Sequence, residues 1–241
     1  MIISHEHRFI FLKTRKTAGT SVEVLLERFA GEDAVVTPIW PEVAGHQARN
    51  YMVLDNPVRA RVLQARQRRL TGDTREHAAY FNHIAATNIR KRLGRRRWNS
   101  YYKFCFERNP WDKVVSAYFW RIGNGHDEGD FRTFVMAGGE FPSDFDKYSI
   151  DGKSVGVDFV GRFERLEDDL RTVLTQLGLP TDVTLTREKG NYRPARPAVD
   201  VSYDNAMNAR VESVFAREIT AFGYELPPAL ANASTVTRRR E

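Results

Sequence analysis

Cysteine is nearly absent from this 241-residue chain; Cys105 is the only one. A lone thiol permits no internal disulfide, which suits a reducing compartment. It lies in an apolar stretch, where a buried, inert thiol is expected rather than a nucleophile. Long apolar runs are also missing. No 18-residue apolar segment occurs, and the N-terminus has no basic region leading into an apolar run. No transmembrane helix or signal peptide is therefore read, and the expectation is a soluble, cytoplasmic protein with no membrane partner. No internal repeat is present. The nucleotide loop G-x-x-x-x-G-K-[ST] is absent too, because the candidate lysine precedes its glycine and no earlier glycine opens the loop.

What the chain does have is a normal globular composition, with 41% hydrophobic and 12% aromatic residues. Its length suits one α/β domain over residues 1–230, large enough for a substantial core, followed by a disordered basic tail, 231–241. The formal net charge of +6 fits a polyanionic ligand or nucleic acid. Acidic residues nearly balance the basic ones, 31 against 37, and no nucleic-acid motif accompanies the arginine runs 95–97 and 238–240. No nucleic-acid partner is expected. Oligomeric state cannot be read from the sequence.

Residues 9–29 carry the strongest signal. Phe9-Ile10-Phe11-Leu12 reads as a buried strand, and Val22, Leu25, Leu26 and Phe29 recur at helical spacing. Between them runs Lys13-Thr14-Arg15-Lys16-Thr17-Ala18-Gly19-Thr20-Ser21. A strand turning into a helix through such a loop offers backbone N–H groups and the positive end of the helix dipole to an anion. Gly19 allows close approach of the backbone, Lys16 reaches the same anion, and Thr20 and Ser21 supply hydroxyl donors.

A second strand, Tyr102 to Glu107, ends in Arg108-Asn109-Pro110-Trp111. Asn109 suits a helix N-cap and Pro110 the first helical position, and Trp111, Val114, Val115 and Tyr118 form the apolar face that follows. Arg108 leaves the strand end. Ser116 lies eight positions on, two turns into the helix, so a guanidinium and a hydroxyl can converge on one phosphate.

The run Lys16 to Ser21 resembles the 5′-phosphosulfate loop of sulfotransferases that use 3′-phosphoadenosine 5′-phosphosulfate (PAPS). The Arg108 and Ser116 pair resembles the 3′-phosphate motif of the same family. The resemblance extends from Phe9 to about Tyr224 and is nearest the bacterial and carbohydrate-type, heparan-sulfate-like branch. It implies a P-loop-kinase-like sulfotransferase fold, with a mostly parallel sheet flanked by helices. It further implies PAPS as co-substrate, adenosine 3′,5′-bisphosphate (PAP) as product, no metal, and a small-molecule or carbohydrate acceptor. The cofactor-binding residues it implies are Arg15, Lys16, Thr17, Ala18, Gly19, Thr20, Ser21, Arg108 and Ser116. Lys189 and Gly190 loosely resemble a late Lys-Gly segment that closes over the 3′-phosphate. The proline and tryptophan typical of the phenol and steroid enzymes' first loop are missing, so the adenine contacts stay unassigned.

In sulfuryl transfer a hydroxyl attacks sulfur in line and the cofactor phosphate departs, so catalysis rests on positioning and on charge stabilisation at the leaving oxygen. Lys16 is the candidate for that charge. The acceptor's proton needs a base, and a histidine titrating near neutrality is the usual choice. Of six histidines, His83 ends a short apolar run read as a strand, Ala79 to Ile84, and resembles the strand-end histidine of carbohydrate-type members. Glu23 and His46 are the weaker candidates. A helix rich in arginine over 58–70, a small helix from Thr87 to Gly94, and a long insertion over 121–154 with a short helix near 131–136 complete this region. Beyond it lie a strand over 157–163, a helix from Leu166 to Gly178, and a last helix over 203–222. Arg162 and Glu164 suit either the acceptor site or an internal ion pair. The alternative readings are a nucleotide or small-molecule kinase of related fold, disfavoured by the missing glycines, and a nucleic-acid-binding or non-catalytic protein.

Overall fold

The structure, a computed structural model, describes residues 1–52, 61–62, 65, 78–137, 141–186, 188 and 200–232. The arginine-rich helix expected over 58–70 falls mostly outside the described residues. Lys189, Gly190 and nearly all of the basic tail also lie outside them.

Among the described residues a five-stranded sheet is built from β1 (Ile2–Ser4), β2 (Phe9–Phe11), β3 (Val35–Val36), β4 (Tyr102–Glu107) and β5 (Phe159–Arg162), in the order β3-β1-β2-β4-β5. β2, β4 and β5 run parallel, with Phe11 beside Phe104 and Glu107 beside Arg162. β1 pairs antiparallel with both β2 and β3. This antiparallel edge is absent from the sequence reading because strands of three and two residues carry too little alternation to register.

Alternation along β4 explains how the sheet is covered. Phe104 and Phe106 face one side with Phe9 and Phe11, and pack on Val22, Leu25 and Leu26 of α1 (Gly19–Glu27) and on Leu170, Val173 and Leu174 of α7 (Leu166–Gln176). Cys105 faces the other side with Ile10 and Leu12, against Ile89 and Leu93 of α2 (Ala86–Leu93) and Trp98 of α3 (Arg95–Ser100). Helices thus cover both faces. A third apolar cluster joins α4 (Pro110–Gly123), α5 (Phe131–Met136), α8 (Asn205–Val214) and α9 (Ala216–Phe222). The segment between α5 and β5 also holds a four-residue helix, α6 (Phe145–Tyr148).

Local signals hold where the physics is local. Asn109 caps α4 by accepting from the Trp111 N–H at 3.2 Å, with Pro110 in the first turn. Two expectations change. Residues 79–84 form a turn, with His83 in the left-handed region at φ 59°, not a strand. The last helix breaks at Phe215, whose buried ring stacks on Phe141 at 6.2 Å between centroids.

Because β2 and β4 are parallel, the loops after them leave the same edge of the sheet, outside the carboxyl ends of the strands. β5 fits beside β4 through Gly161, where an added Cβ would lie 2.5 Å from the Phe106 ring and 3.2 Å from Asp169 Cβ. The buried ring has no room to retreat. Gly161→Ala is therefore expected to destabilise the fold by about 1–3 kcal/mol through overpacking, read as a lower urea midpoint with an unchanged m-value.

Candidate active site

The loop after β2 folds back on the sheet edge. The Thr14 hydroxyl donates to the Phe106 carbonyl at 2.5 Å, and its oxygen lies 2.9 Å from the Thr17 hydroxyl. Lys16 and Ala18 take left-handed backbone angles, φ 62° and 56°. Ala18 is the N-cap of α1, but it has no side chain able to bond the first-turn N–H groups, and that turn holds no acidic residue. Gly19 is required for close approach, since a Cβ there would lie 2.8 Å from Lys13 Cγ. The start of α1 therefore presents N–H donors and its dipole with no carboxylate competing for them.

Two backbone carbonyls of this loop receive the other parts of the site. The Lys16 carbonyl accepts from Arg108 Nη1 at 3.1 Å, which joins the two motifs directly. The Lys13 carbonyl lies 2.9 Å from His83 Nδ1. A carbonyl only accepts, so Nδ1 carries the proton and Nε2 keeps its lone pair. His83 is thus held in the tautomer a general base needs.

Arg108 is well fixed. It donates through Nε and Nη2 to Asp112 at 2.8 and 2.5 Å, and its guanidinium lies 3.9 Å from the centre of the Phe163 ring. Asp112, Ser116 and Trp120 follow one another at i, i+4 and i+8 on α4. Asp112 holds Arg108, and the Lys16 ammonium lies 5.4 Å over the Trp120 ring. The half-buried Ser116 sits on the row between two residues that touch the site.

Burial, and then the nearby charge of Arg108, lower the Lys16 pKa to about 8. Two cations crowded this way favour an anion between them. Burial lowers His83 to about 4, although the Lys13 carbonyl and the charge of Asp144 oppose the shift. His83 does not titrate near neutrality as expected from the sequence, because its imidazole is largely shielded from water.

Several sequence-predicted residues have other duties. Arg15 donates its backbone N–H to Asp144 Oδ2 at 2.6 Å and its Nε to Oδ1 at 2.9 Å, and Nη2 bonds the Ser143 carbonyl at 2.8 Å. Its side chain thus braces the loop against the segment before α6. The buried Thr17 hydroxyl points into the loop, toward Thr14. The buried Ser21 hydroxyl accepts from the Glu188 N–H at 2.9 Å, bringing the residue before Lys189 against α1. Thr20 is half-buried in the first turn of α1.

The alternative bases drop out on geometry. Glu23 is fully buried against Lys13 Nζ at 2.6 Å. His46 has Nε2 on the Thr37 carbonyl at 2.9 Å and Nδ1 facing Glu27 at 2.5 Å, so both ring nitrogens are turned to other groups. Arg162 and Glu164 do not pair. Arg162 bonds the Phe222 carbonyl at 2.6 Å, and Glu164 accepts from the Asn109 N–H at 2.7 Å.

Sequence reasoning missed Glu107, Lys113, Trp120 and Asp144. Lys113 Nζ lies 2.6 Å from Glu107 and 3.3 Å from Asp144, all three buried. A charge at position 113, beside the apolar face of α4, was the readable clue. Asp144 had none, being one of several aspartates in an irregular segment. Among the described residues no group of three or more His, Cys, Asp or Glu is arranged to hold a metal ion, and no helix is long and apolar enough to cross a membrane.

An uncapped helix N-terminus, a lysine and an arginine joined at parallel strand ends, and a neutral histidine thus lie together at one edge of the sheet. The chain belongs to the sulfotransferase family, whose model matches residues 1–141 and so spans His83 and both anion motifs. An uncharacterised protein of Archaeoglobus fulgidus is 37% identical over 117 residues, covering 46% of this chain and 98% of that one. Human carbohydrate sulfotransferase 14 is 27% identical over 205 residues, covering 70% of this chain, and the mouse protein is 26% identical over 194 residues, covering 66%. The chain spans about half the length of these two relatives, 53% and 50%. A sulfotransferase from Alicyclobacillus acidocaldarius aligns in structure over 90% of this chain and 96% of its own, at 15% identity and a TM-score of 0.42.

His83 gives a direct test of the site. Its folded pKa lies below the ordinary 6.5, so between about 4 and 6.5 the unfolded chain binds more protons than the folded one. The contribution of this residue to stability is full above pH 6.5 and declines as pH falls through that window. Proton NMR of the imidazole should show titration near pH 4. His83→Gln should flatten part of the loss of stability between pH 6.5 and 4.

Proposed function

We propose that this protein transfers a sulfuryl group from PAPS to a hydroxyl of a carbohydrate acceptor. The observation that carries the reading is the docking of Arg108 and His83 on the carbonyls of Lys16 and Lys13, because it gathers a phosphate-binding cation, a leaving-group cation and a base around one helix N-terminus.

The donor groups fit the two anionic ends of PAPS. The Lys16–Ser21 turn suits the phosphosulfate, through the α1 N–H groups and the Lys16 ammonium. Arg108 and Ser116 suit the 3′-phosphate, through a guanidinium held in place by Asp112 and Phe163. PAPS supplies the activated sulfuryl group. His83 Nε2 takes the proton of the acceptor hydroxyl as the new oxygen–sulfur bond forms. Lys16 neutralises the phosphate oxygen that leaves as the old bond breaks. Its ammonium strengthens as negative charge gathers there, since an anion opposes the burial and repulsion that lower its pKa.

A carbohydrate acceptor is favoured by the names of the human and mouse relatives and by exposed rings near the base. Phe81 lies two residues before His83, and the Asn82 side chain bonds the Pro38 carbonyl at 2.5 Å, bringing the segment of the exposed Trp40 close to it. Aromatic faces of this kind stack on sugar rings.

Calorimetry should show PAP binding about one to two orders of magnitude tighter than AMP, the worth of a charge-assisted arginine contact. Equal affinity would remove the 3′-phosphate site, and tight, Mg²⁺-dependent ATP binding would favour a kinase. Once an acceptor screen with radiolabelled PAPS has found a substrate, Lys16→Ala should lower turnover much more than it weakens PAP. His83→Ala should leave PAP affinity unchanged while turnover falls by about 10²–10⁴. His83→Gln should be equally slow, since it retains hydrogen bonding without basicity. In the wild type, the acidic limb of kcat/KM should lie near pH 4.

A further inference from the structure

We propose that Asp144 is the positioning residue of the phosphosulfate loop, holding Arg15 so that the Lys16 side chain is presented to substrate and the Lys16 and Lys13 carbonyls to Arg108 and His83. The inference rests on the sulfotransferase reading for the loop's ligand, but not for the hold itself.

Asp144 comes from far along the chain and is fully buried. One oxygen accepts the Arg15 backbone N–H at 2.6 Å and the other accepts Arg15 Nε at 2.9 Å. A carboxylate that takes both the main chain and the side chain of one residue fixes that residue's backbone. Lys16 follows directly, in a left-handed conformation a lysine rarely adopts without support. Asp144 is itself held. Glu218 of α9 accepts from the Ser143 hydroxyl at 2.7 Å and from the N–H groups of Asp144 and Phe145 at 3.2 and 3.3 Å. Lys113 lies 3.3 Å from the Asp144 carboxylate and carries it toward Glu107 at the end of β4. Burial disfavours the charged carboxylate, but Lys113 and Arg15 outweigh it, so Asp144 is ionised at neutral pH. The same charge reaches His83, which also faces the Lys13 carbonyl and ammonium and the Met1 amino group. A carboxylate there favours the imidazolium that forms when His83 accepts a proton.

The test is Asp144→Asn, read first without ligand, by hydrogen exchange of the Arg15, Lys16 and Thr17 amides. Exchange should quicken by about tenfold to a hundredfold, the range for loss of a hydrogen bond to a charged group. PAP should bind correspondingly more weakly, and with an acceptor in hand the acidic limb of the rate should move to lower pH than in the wild type. The double variant R15A/D144N removes one charge of each sign and keeps the buried charge balance. It should fold even if D144N does not, and should still show the fast loop exchange. Exchange at the wild-type rate in a folded variant would overturn the proposal, leaving Asp144 a stability residue that lowers only the melting temperature. Fast exchange with unchanged PAP affinity would overturn it as well. If the wild-type protein itself failed to bind PAP, the sulfotransferase reading would fall, and the exchange rates alone would decide whether Asp144 holds the loop.

Discussion

Lys113 exposes none of its side chain, yet its ammonium lies between the carboxylates of Glu107 and Asp144. Placing three charges out of water costs several kcal/mol per ion unless geometry and further hydrogen bonds compensate. Here they do. Glu107 also accepts from the Tyr148 hydroxyl at 3.0 Å and the Arg108 N–H at 2.9 Å, and Asp144 takes Arg15. The two carboxylates raise the Lys113 pKa against the opposing effect of burial, which keeps the ammonium charged. This one cation ties together the end of β4, the first turn of α4, the segment before α6, and, through Asp144, the loop after β2. Removing Lys113 leaves two buried carboxylates without their shared cation, a far larger loss than that of an exposed ion pair.

The candidate site is assembled on that foundation by main-chain carbonyls. Side chains from distant segments reach Lys13 and Lys16 at their backbone oxygens, so the spacing of the imidazole and the cations depends on the loop's conformation more than on its side chains. The same arrangement sets the chemistry. Burial, and then crowding against Arg108, lowers the proton affinity of Lys16, and burial keeps His83 neutral. A neutral buried imidazole and an ammonium of lowered proton affinity are perturbed groups of the kind that cluster at functional sites.

Much of this was legible in the chain. The motifs at Lys16–Ser21 and at Arg108 and Ser116 lie at strand-to-helix turns as expected, and the cap of α4 forms as its residues dictate. These features depend on neighbours within a few positions, which is why pattern reading finds them. The antiparallel β1 and β3 were too short to see. The turn at His83 looked like a strand because Ala79, Tyr80, Phe81 and Ile84 make a short apolar run, although Tyr80 and Ile84 are buried while Phe81 is exposed. The contacts of Arg15, Glu23 and His46 were not legible, because each is decided by a partner elsewhere: Asp144, Lys13 and Glu27 respectively.

The sequence by itself determined the family, the two strand-to-helix turns and the cationic and hydroxyl groups they carry, since residue type and short-range spacing specify a strand, a helix start and a guanidinium. Only the tertiary structure decided which of those groups face the site and in what protonation state. Pairing Asp144 with Arg15 spans 129 positions, and Lys13 with His83 spans 70. Contacts at that range follow from how β2, β4 and the later segments pack, and burial then sets the proton affinities that local sequence leaves at their ordinary values.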